Sequence, residues 1–146
     1  MINMTFENSA VQNYLTTLQG VINRMAGNSA SCKNWCVSIV TAILVFSTST
    51  KQAQSVWVAL LPCILFAWLD AYYLSIERQV VQLYRETVKK VQNGTISIDD
   101  LYNIKINTRG FKGFTNSLTA FDSPSILPFY LLTAISIIVL AIWIKT

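Results

Sequence analysis

Three charge-free stretches, residues 34–50, 52–69 and 123–144, each fenced by charged residues, leave this chain few ways to fold. A helix that is apolar all round must be buried on every face, and a soluble chain of 146 residues cannot enclose three of them. In hydrocarbon the same helix is stable, because it closes its own backbone hydrogen bonds. A bilayer core asks for about 20 apolar residues, with about 17 as the lower limit. The third stretch exceeds this, and the first meets its lower bound. The sequence predicts an all-α membrane protein with three transmembrane helices.

Composition narrows the function classes. Three spans leave no room in 146 residues for a soluble catalytic domain. The first 33 residues lack the basic start, apolar block and small-residue cleavage site of a secretory signal, so the mature chain is expected to begin near Met1. Histidine is absent, which removes the commonest general base and the commonest transition-metal ligand. Cys32 and Cys36 share a helical face, but without nearby His or carboxylate they fall short of a zinc set. With Cys63 they read as small buried thiols at helix contacts. The chain has no P-loop, no dinucleotide fingerprint, no Ser-His-Asp set and no paired carboxylates. It is expected to be no enzyme and to carry no cofactor and no metal.

Charge sets the expected orientation. Arg78, Arg85, Lys89, Lys90, Lys105, Arg109 and Lys112 all lie between the second and third spans, against Lys51 alone between the first two. Positive charge near span ends stays in the cytoplasm. The N-terminus and residues 77–122 are therefore expected inside, with the turn near Lys51 and the C-terminus outside. Trp35 and Trp68 then mark the inner interface and Trp57 and Trp143 the outer one, with Tyr72 and Tyr73 extending the inner belt. The sequon at Asn93-Gly94-Thr95 falls inside and is discarded.

Along the chain, Val11, Leu15, Leu18, Ile22 and Met25 repeat at heptad spacing and predict a cytoplasmic N-terminal amphipathic helix over 1–30. Its polar face has Arg24 as its sole base, so association with other helices is favoured over lying on lipid. Gly27-Asn28-Ser29 is expected to break or bend the chain before a transmembrane hairpin over 31–76. The second span is expected to run past the membrane, because no glycine interrupts residues 55–92 and a seam continues through Val81, Tyr84, Val88 and Val91. Asn93-Gly94 ends it, and Ser97 with Asp100 offers a capping box for a short helix. Residues 77–122 form the basic segment, with an interfacial helix suggested by Phe111, Phe114, Leu118 and Phe121. Ser123-Pro124 reads as cap and first helical residue of the third span, 123–146. The two seams call for helix partners, so a homo-oligomeric bundle is expected, with four subunits as the working number.

Three groups of residues carry functional readings. Asp70 sits within the second span, where an ionised carboxylate costs about 3 kcal/mol unless it is paired or faces water. Lys33 enters the first span at the same depth, so the alternatives are a Lys33–Asp70 pair across the hairpin or a place on an ion path. Asn34, Ser38, Thr41 and Thr48 share a narrow arc of the first span with Val45 among them. Around a symmetry axis that arc makes a polar pore wall with Val45 as a dewetting constriction; otherwise it serves interhelical hydrogen bonds. The bases Arg78, Arg85, Lys89, Lys90, Arg109 and Lys112 set topology, and they also suit anionic lipid headgroups or, in an oligomer, a nucleotide or oligonucleotide.

Arg24-Met25, Asn28-Ser29 and Cys32-Lys33-x-Trp35 precede the first span, and Leu69-Asp70-Ala71-Tyr72-Tyr73-Leu74, Glu77-Arg78 and Leu83-Tyr84 cross the end of the second. These signatures resemble small bacterial inner-membrane effectors of antiviral defence loci, of the Hailong type. The resemblance covers roughly the first 90 residues. It implies an oligomeric, channel-forming effector that damages membrane integrity when a cytoplasmic signal changes, leading to growth arrest or cell death. The alternative is a small non-conducting scaffold or accessory subunit. A phage holin fits less well, because no charged cytoplasmic tail follows the last span.

Overall fold

The computed structural model describes residues 6, 8–101 and 120–145, and every regular element among them is helical. Helix α1 is Ser9–Thr50, α2 is Ala53–Val56, α3 is Leu60–Gln92, α4 is Ile98–Leu101 and α5 is Leu127–Lys145, with a 3₁₀ turn at Trp57–Ala59. Three of the helical stretches, Ser9–Thr50, Gln54–Gln92 and Leu127–Ile144, are long and apolar enough to cross a membrane, as a multi-pass membrane protein requires.

Helix α1 is one uninterrupted rod of 42 residues, about 63 Å long. Asn8 caps it by accepting from the Ala10 N–H at 2.9 Å. The break expected at Gly27-Asn28-Ser29 does not occur. A glycine inside a helix costs only about 1 kcal/mol, while Met25 and Cys32 on either side are buried and hold the rod straight against α3. Ser29, a residue type that competes for backbone groups, turns its hydroxyl to Asp70 instead. Lys51, in the left-handed region at φ 51°, ends the rod, and its N–H meets the Ser47 and Thr48 carbonyls.

The second long helix starts unevenly for a covalent reason. Pro62 has no N–H to give the Val58 carbonyl, and its ring crowds that carbonyl. The turn just before it tightens to 3₁₀ over Trp57–Ala59, and regular α-helix follows from Leu60. From there α3 runs through Glu77 without a stop to Gln92, as the glycine-free sequence predicts. Asn93 closes it, with Gly94 at φ +66°. Ser97 and Asp100 form the predicted capping box: the Ser97 N–H donates to Asp100 Oδ2 at 3.0 Å, and the Asp100 N–H to Ser97 Oγ at 3.4 Å. The stripe at Phe111, Phe114 and Leu118 lies outside the described residues, as do Lys105, Arg109 and Lys112.

The third span begins later than Ser123-Pro124 suggests. Residues 121–126 form turns, in which the Ile126 and Leu127 N–H groups donate to the Ser123 carbonyl at 3.0 and 3.1 Å. Ser123 therefore caps a lead-in turn, and the helix proper starts at Leu127.

Helices α1 and α3 pair antiparallel along their length, with two separate apolar clusters between them. One lies within the spans and joins Cys36, Val40, Cys63 and Ala67 to Tyr130 and Ile137 of α5. The small residues Ala59, Cys63, Ala67 and Ala71 let the helices approach closely there. The other cluster lies beyond the spans, in the portion of α1 and α3 called the stem here: Val11, Tyr14 and Leu18 meet Val80, Val91, Ile96 and Leu101. The N-terminal seam thus finds its partner within one chain, in Val80, Leu83, Tyr84 and Val91 of α3, and its argument for a homo-oligomer lapses; Val81 and Val88 of the second seam stand outside this cluster.

The stem cluster contains one polar mismatch. The Tyr14 hydroxyl is buried and has no hydrogen-bond partner among the described residues. Burial, and secondarily the charge of Asp100, push this phenol above its ordinary pKa. An unpaired buried hydroxyl costs about 1–3 kcal/mol, whereas a ring of the same shape without it loses nothing. Tyr14→Phe is expected to raise the thermal midpoint in detergent, and a lowered midpoint would reveal a hydrogen bond to the hydroxyl.

Candidate functional site

Where the span cluster meets the stem cluster, the hairpin carries a buried polar clasp. The periodicity of α1 places Ser29 and Lys33 one turn apart on the face towards α3. The antiparallel register brings Asp70 opposite both. Asp70 is completely enclosed, at 0% exposure. Lys33 Nζ donates to Asp70 Oδ2 at 2.5 Å, and Ser29 Oγ donates to Asp70 Oδ1 at 2.5 Å. Lys33 Nζ also donates to Ser29 Oγ at 3.2 Å, closing a three-membered network. The Lys33 side chain remains 19% exposed, so the lysine reaches outward while the carboxylate does not.

The third helix borders this clasp. The Tyr130 hydroxyl donates to the Phe66 carbonyl at 3.2 Å and lies beside the Asp70 carboxylate. Farther along, Cys36 and Cys63 face each other, and Cys63 Sγ approaches the Tyr130 carbonyl at 4.0 Å. All three cysteines are buried and unoxidised. Among the described residues no group of three His, Cys, Asp or Glu side chains is placed to hold a metal ion.

Ser29 and Tyr130 were not singled out from sequence. Ser29 was available in principle: it stands four residues before Lys33, where a hydroxyl on the same face reaches the same partner. Tyr130 offered no such signal, because nothing in the sequence sets the rotation of α5 about its axis.

The polar stripe is placed differently from the clasp. Asn34, Ser38, Thr41 and Val45 are all exposed, and Thr48 is half-buried. They lie on the opposite side of α1 from Cys36, Val40 and Ser47, which meet α3 and α5. The chain's own helices leave the stripe uncovered. Ser38 Oγ donates to the Asn34 carbonyl at 2.9 Å, and Thr48 Oγ1 to the Val45 and Leu44 carbonyls at 2.8 and 3.1 Å. These hydroxyls bond to their own helix, not to a neighbouring one. Asp70 and the stripe thus occupy opposite faces of the hairpin, and in this conformation they cannot line one path.

The basic residues divide as well. Lys90 is committed: its Nζ meets Asp100 Oδ1 at 2.6 Å, an exposed pair. Lys89 is exposed on the same turn. Arg78 and Arg85 lie two turns apart and line a groove along α3. The Lys90 bond and the Ser97 N–H hold the Asp100 carboxyl below its ordinary pKa. With its folded pKa depressed, Asp100 adds stability above the unfolded value, and this stability is lost as pH falls through the folded one. Lys90→Gln is expected to move the Asp100 midpoint upward in a carbon-detected carboxyl titration, at a stability cost of about 0–1 kcal/mol. An unmoved midpoint would show that the cap alone sets it.

Comparison with protein-family models, with curated proteins and with solved structures yields no match for this chain.

Proposed function

We propose that the chain is the subunit of a homo-oligomeric ion-conducting membrane protein, with the Asn34–Thr48 face of α1 turned to the oligomer axis. One observation carries this reading. Asn34, Ser38 and Thr41 lie on the face of α1 that α3 and α5 leave uncovered, with Thr48 half-buried at the end of the stripe. Around an axis that face supplies hydroxyls to hydrated ions, with Val45 as the apolar constriction. One chain cannot enclose such a path, so copies of itself are the natural neighbours, and four is the number we favour. The distribution of Lys and Arg favours the cytoplasmic side for the N-terminus and stem, and the resemblance favours a bacterial inner membrane. Asp70 acts in this reading as a structural clasp at the base of the span, coupling stem to hairpin. The physiological role that suits such a protein is a defence effector that permeabilises the membrane on a cytoplasmic signal, in keeping with the resemblance of its first 90 residues.

A second reading has its own support. The Ser38 and Thr48 hydroxyls are already satisfied by α1, so the stripe tolerates lipid or a different protein without water. A non-conducting scaffold follows from that. The purified full-length chain in planar bilayers separates the two: steady currents above those of protein-free bilayers support conduction, and their absence supports the scaffold. Reporter fusions that placed residues 77–122 outside would overturn the orientation.

A further inference from the structure

Helix α3 has a second face in the stem that α1 does not cover. Leu74, Glu77, Arg78, Val81, Gln82 and Arg85 follow one another along it at helical spacing and line a groove of about 550 Å³. Its order of residues is directional. Leu74, nearest the span, is packed against the span cluster and continues its apolar surface outward. Val81 supplies an apolar floor further along, and the two guanidiniums stand farther along the helix from the span than Leu74. Among the described residues neither Arg78 nor Arg85 has an ion-pair partner, and both are exposed. Glu77 is the one carboxylate in the lining, so the groove keeps a net positive charge.

We propose that this groove is a binding site for an anionic phospholipid, with its phosphate held by Arg78 and Arg85 and the start of an acyl chain against Leu74. The guanidinium is the side chain best shaped for a phosphate, because it offers paired donors in a fixed plane. Arg78 lies eight residues past Asp70, about 12 Å along the helix, which is headgroup depth if Asp70 marks the inner part of the span. A free nucleotide would share the phosphate chemistry. It would have no use for an apolar end that opens towards the bilayer, and that end decides for a lipid. The site requires neither conduction nor a particular oligomer.

The test is native mass spectrometry of the full-length protein in mild detergent, titrated with phosphatidylglycerol or phosphatidylcholine of matched chains. Phosphatidylglycerol is expected to bind at least tenfold more tightly. Arg78→Gln/Arg85→Gln should reduce it to the phosphatidylcholine level, while Arg24→Gln, on α1 and outside the groove, should leave it unchanged. The double variant should keep the wild-type thermal midpoint in phosphatidylcholine nanodiscs, where the groove is empty of its ligand. Equal binding of the two lipids, or an unchanged preference in the double variant, overturns the proposal. Arg78→Lys/Arg85→Lys guards against misfolding of the glutamine variant: a partial preference supports the site, and none contradicts it. Displacement of phosphatidylglycerol by micromolar ATP or a short oligonucleotide would also overturn it, assigning the groove to a soluble ligand.

Discussion

Lys33→Met should destabilise the hairpin by about 3–5 kcal/mol, the usual cost of removing one partner from a buried ion pair. In that variant Asp70, at 0% exposure, keeps the Ser29 hydroxyl and its neighbour Tyr130 but no counter-charge. Asp70→Asn should cost less, because the Lys33 side chain it leaves behind is 19% exposed and can swing its ammonium towards water. Ser29→Ala should cost least, about 1–2 kcal/mol, since it removes one hydrogen bond to a charge that remains paired. Lys33→Met/Asp70→Leu, which removes both charges, should recover most of the loss. Thermal unfolding in detergent, followed by size-exclusion chromatography, reads the order directly. A fully stable Asp70→Asn protein with altered conductance would place Asp70 on an ion path instead.

Leu18→Ala is expected to cost about 2–5 kcal/mol, because Leu18 is fully buried at the centre of the stem cluster. The loss should be local. The stem cluster and the span cluster share no residues, and the clasp stands between them. Hydrogen exchange should therefore rise across residues 11–25 and 80–91 while residues 36–44 and 63–71 keep their protection. If Leu18→Ala instead breaks an oligomer and leaves the stem protected, the seam serves contacts between copies, as its heptad spacing alone suggests.

That contrast marks where the residues could be read and where they could not. The spans were legible because an all-round apolar segment has one stable setting. The hairpin pair was legible because Lys33 and Asp70 reach the same depth from opposite directions, and burial leaves two opposite charges little alternative to meeting. Ser97 with Asp100, and Gly94 after Asn93, declared their roles through local backbone chemistry. Three features were settled by tertiary context. Gly27-Asn28-Ser29 stays helical because packing on both sides outweighs a weak local preference. The seam of Val11–Met25 shows which face of α1 seeks a partner, but a heptad pattern does not say that the partner is in the same chain, and on α3 it is Val80 with Leu83, not Val81 with Val88, that meets it. Ser123-Pro124 signals a start, and the turn it caps delays the helix to Leu127. The stripe of Asn34, Ser38, Thr41 and Thr48 was visible as an arc, while its place opposite the hairpin contact required the packing of α1.

Thiol modification during current recording tests the stripe most directly. In a background with Cys32, Cys36 and Cys63 replaced by alanine, single cysteines are introduced at Ser38 or Thr41, and separately at Ile39 or Phe46. All four positions are exposed on α1, but only the first two belong to the stripe. A charged, water-soluble methanethiosulfonate reagent reacts only where water reaches the thiol. If the stripe lines the conducting path, Ser38→Cys and Thr41→Cys will react and lose current, while Ile39→Cys and Phe46→Cys conduct unchanged. Currents that persist with Ser38→Cys and Thr41→Cys unreactive, or that fall only on modification of Ile39→Cys or Phe46→Cys, would contradict a pore along this face.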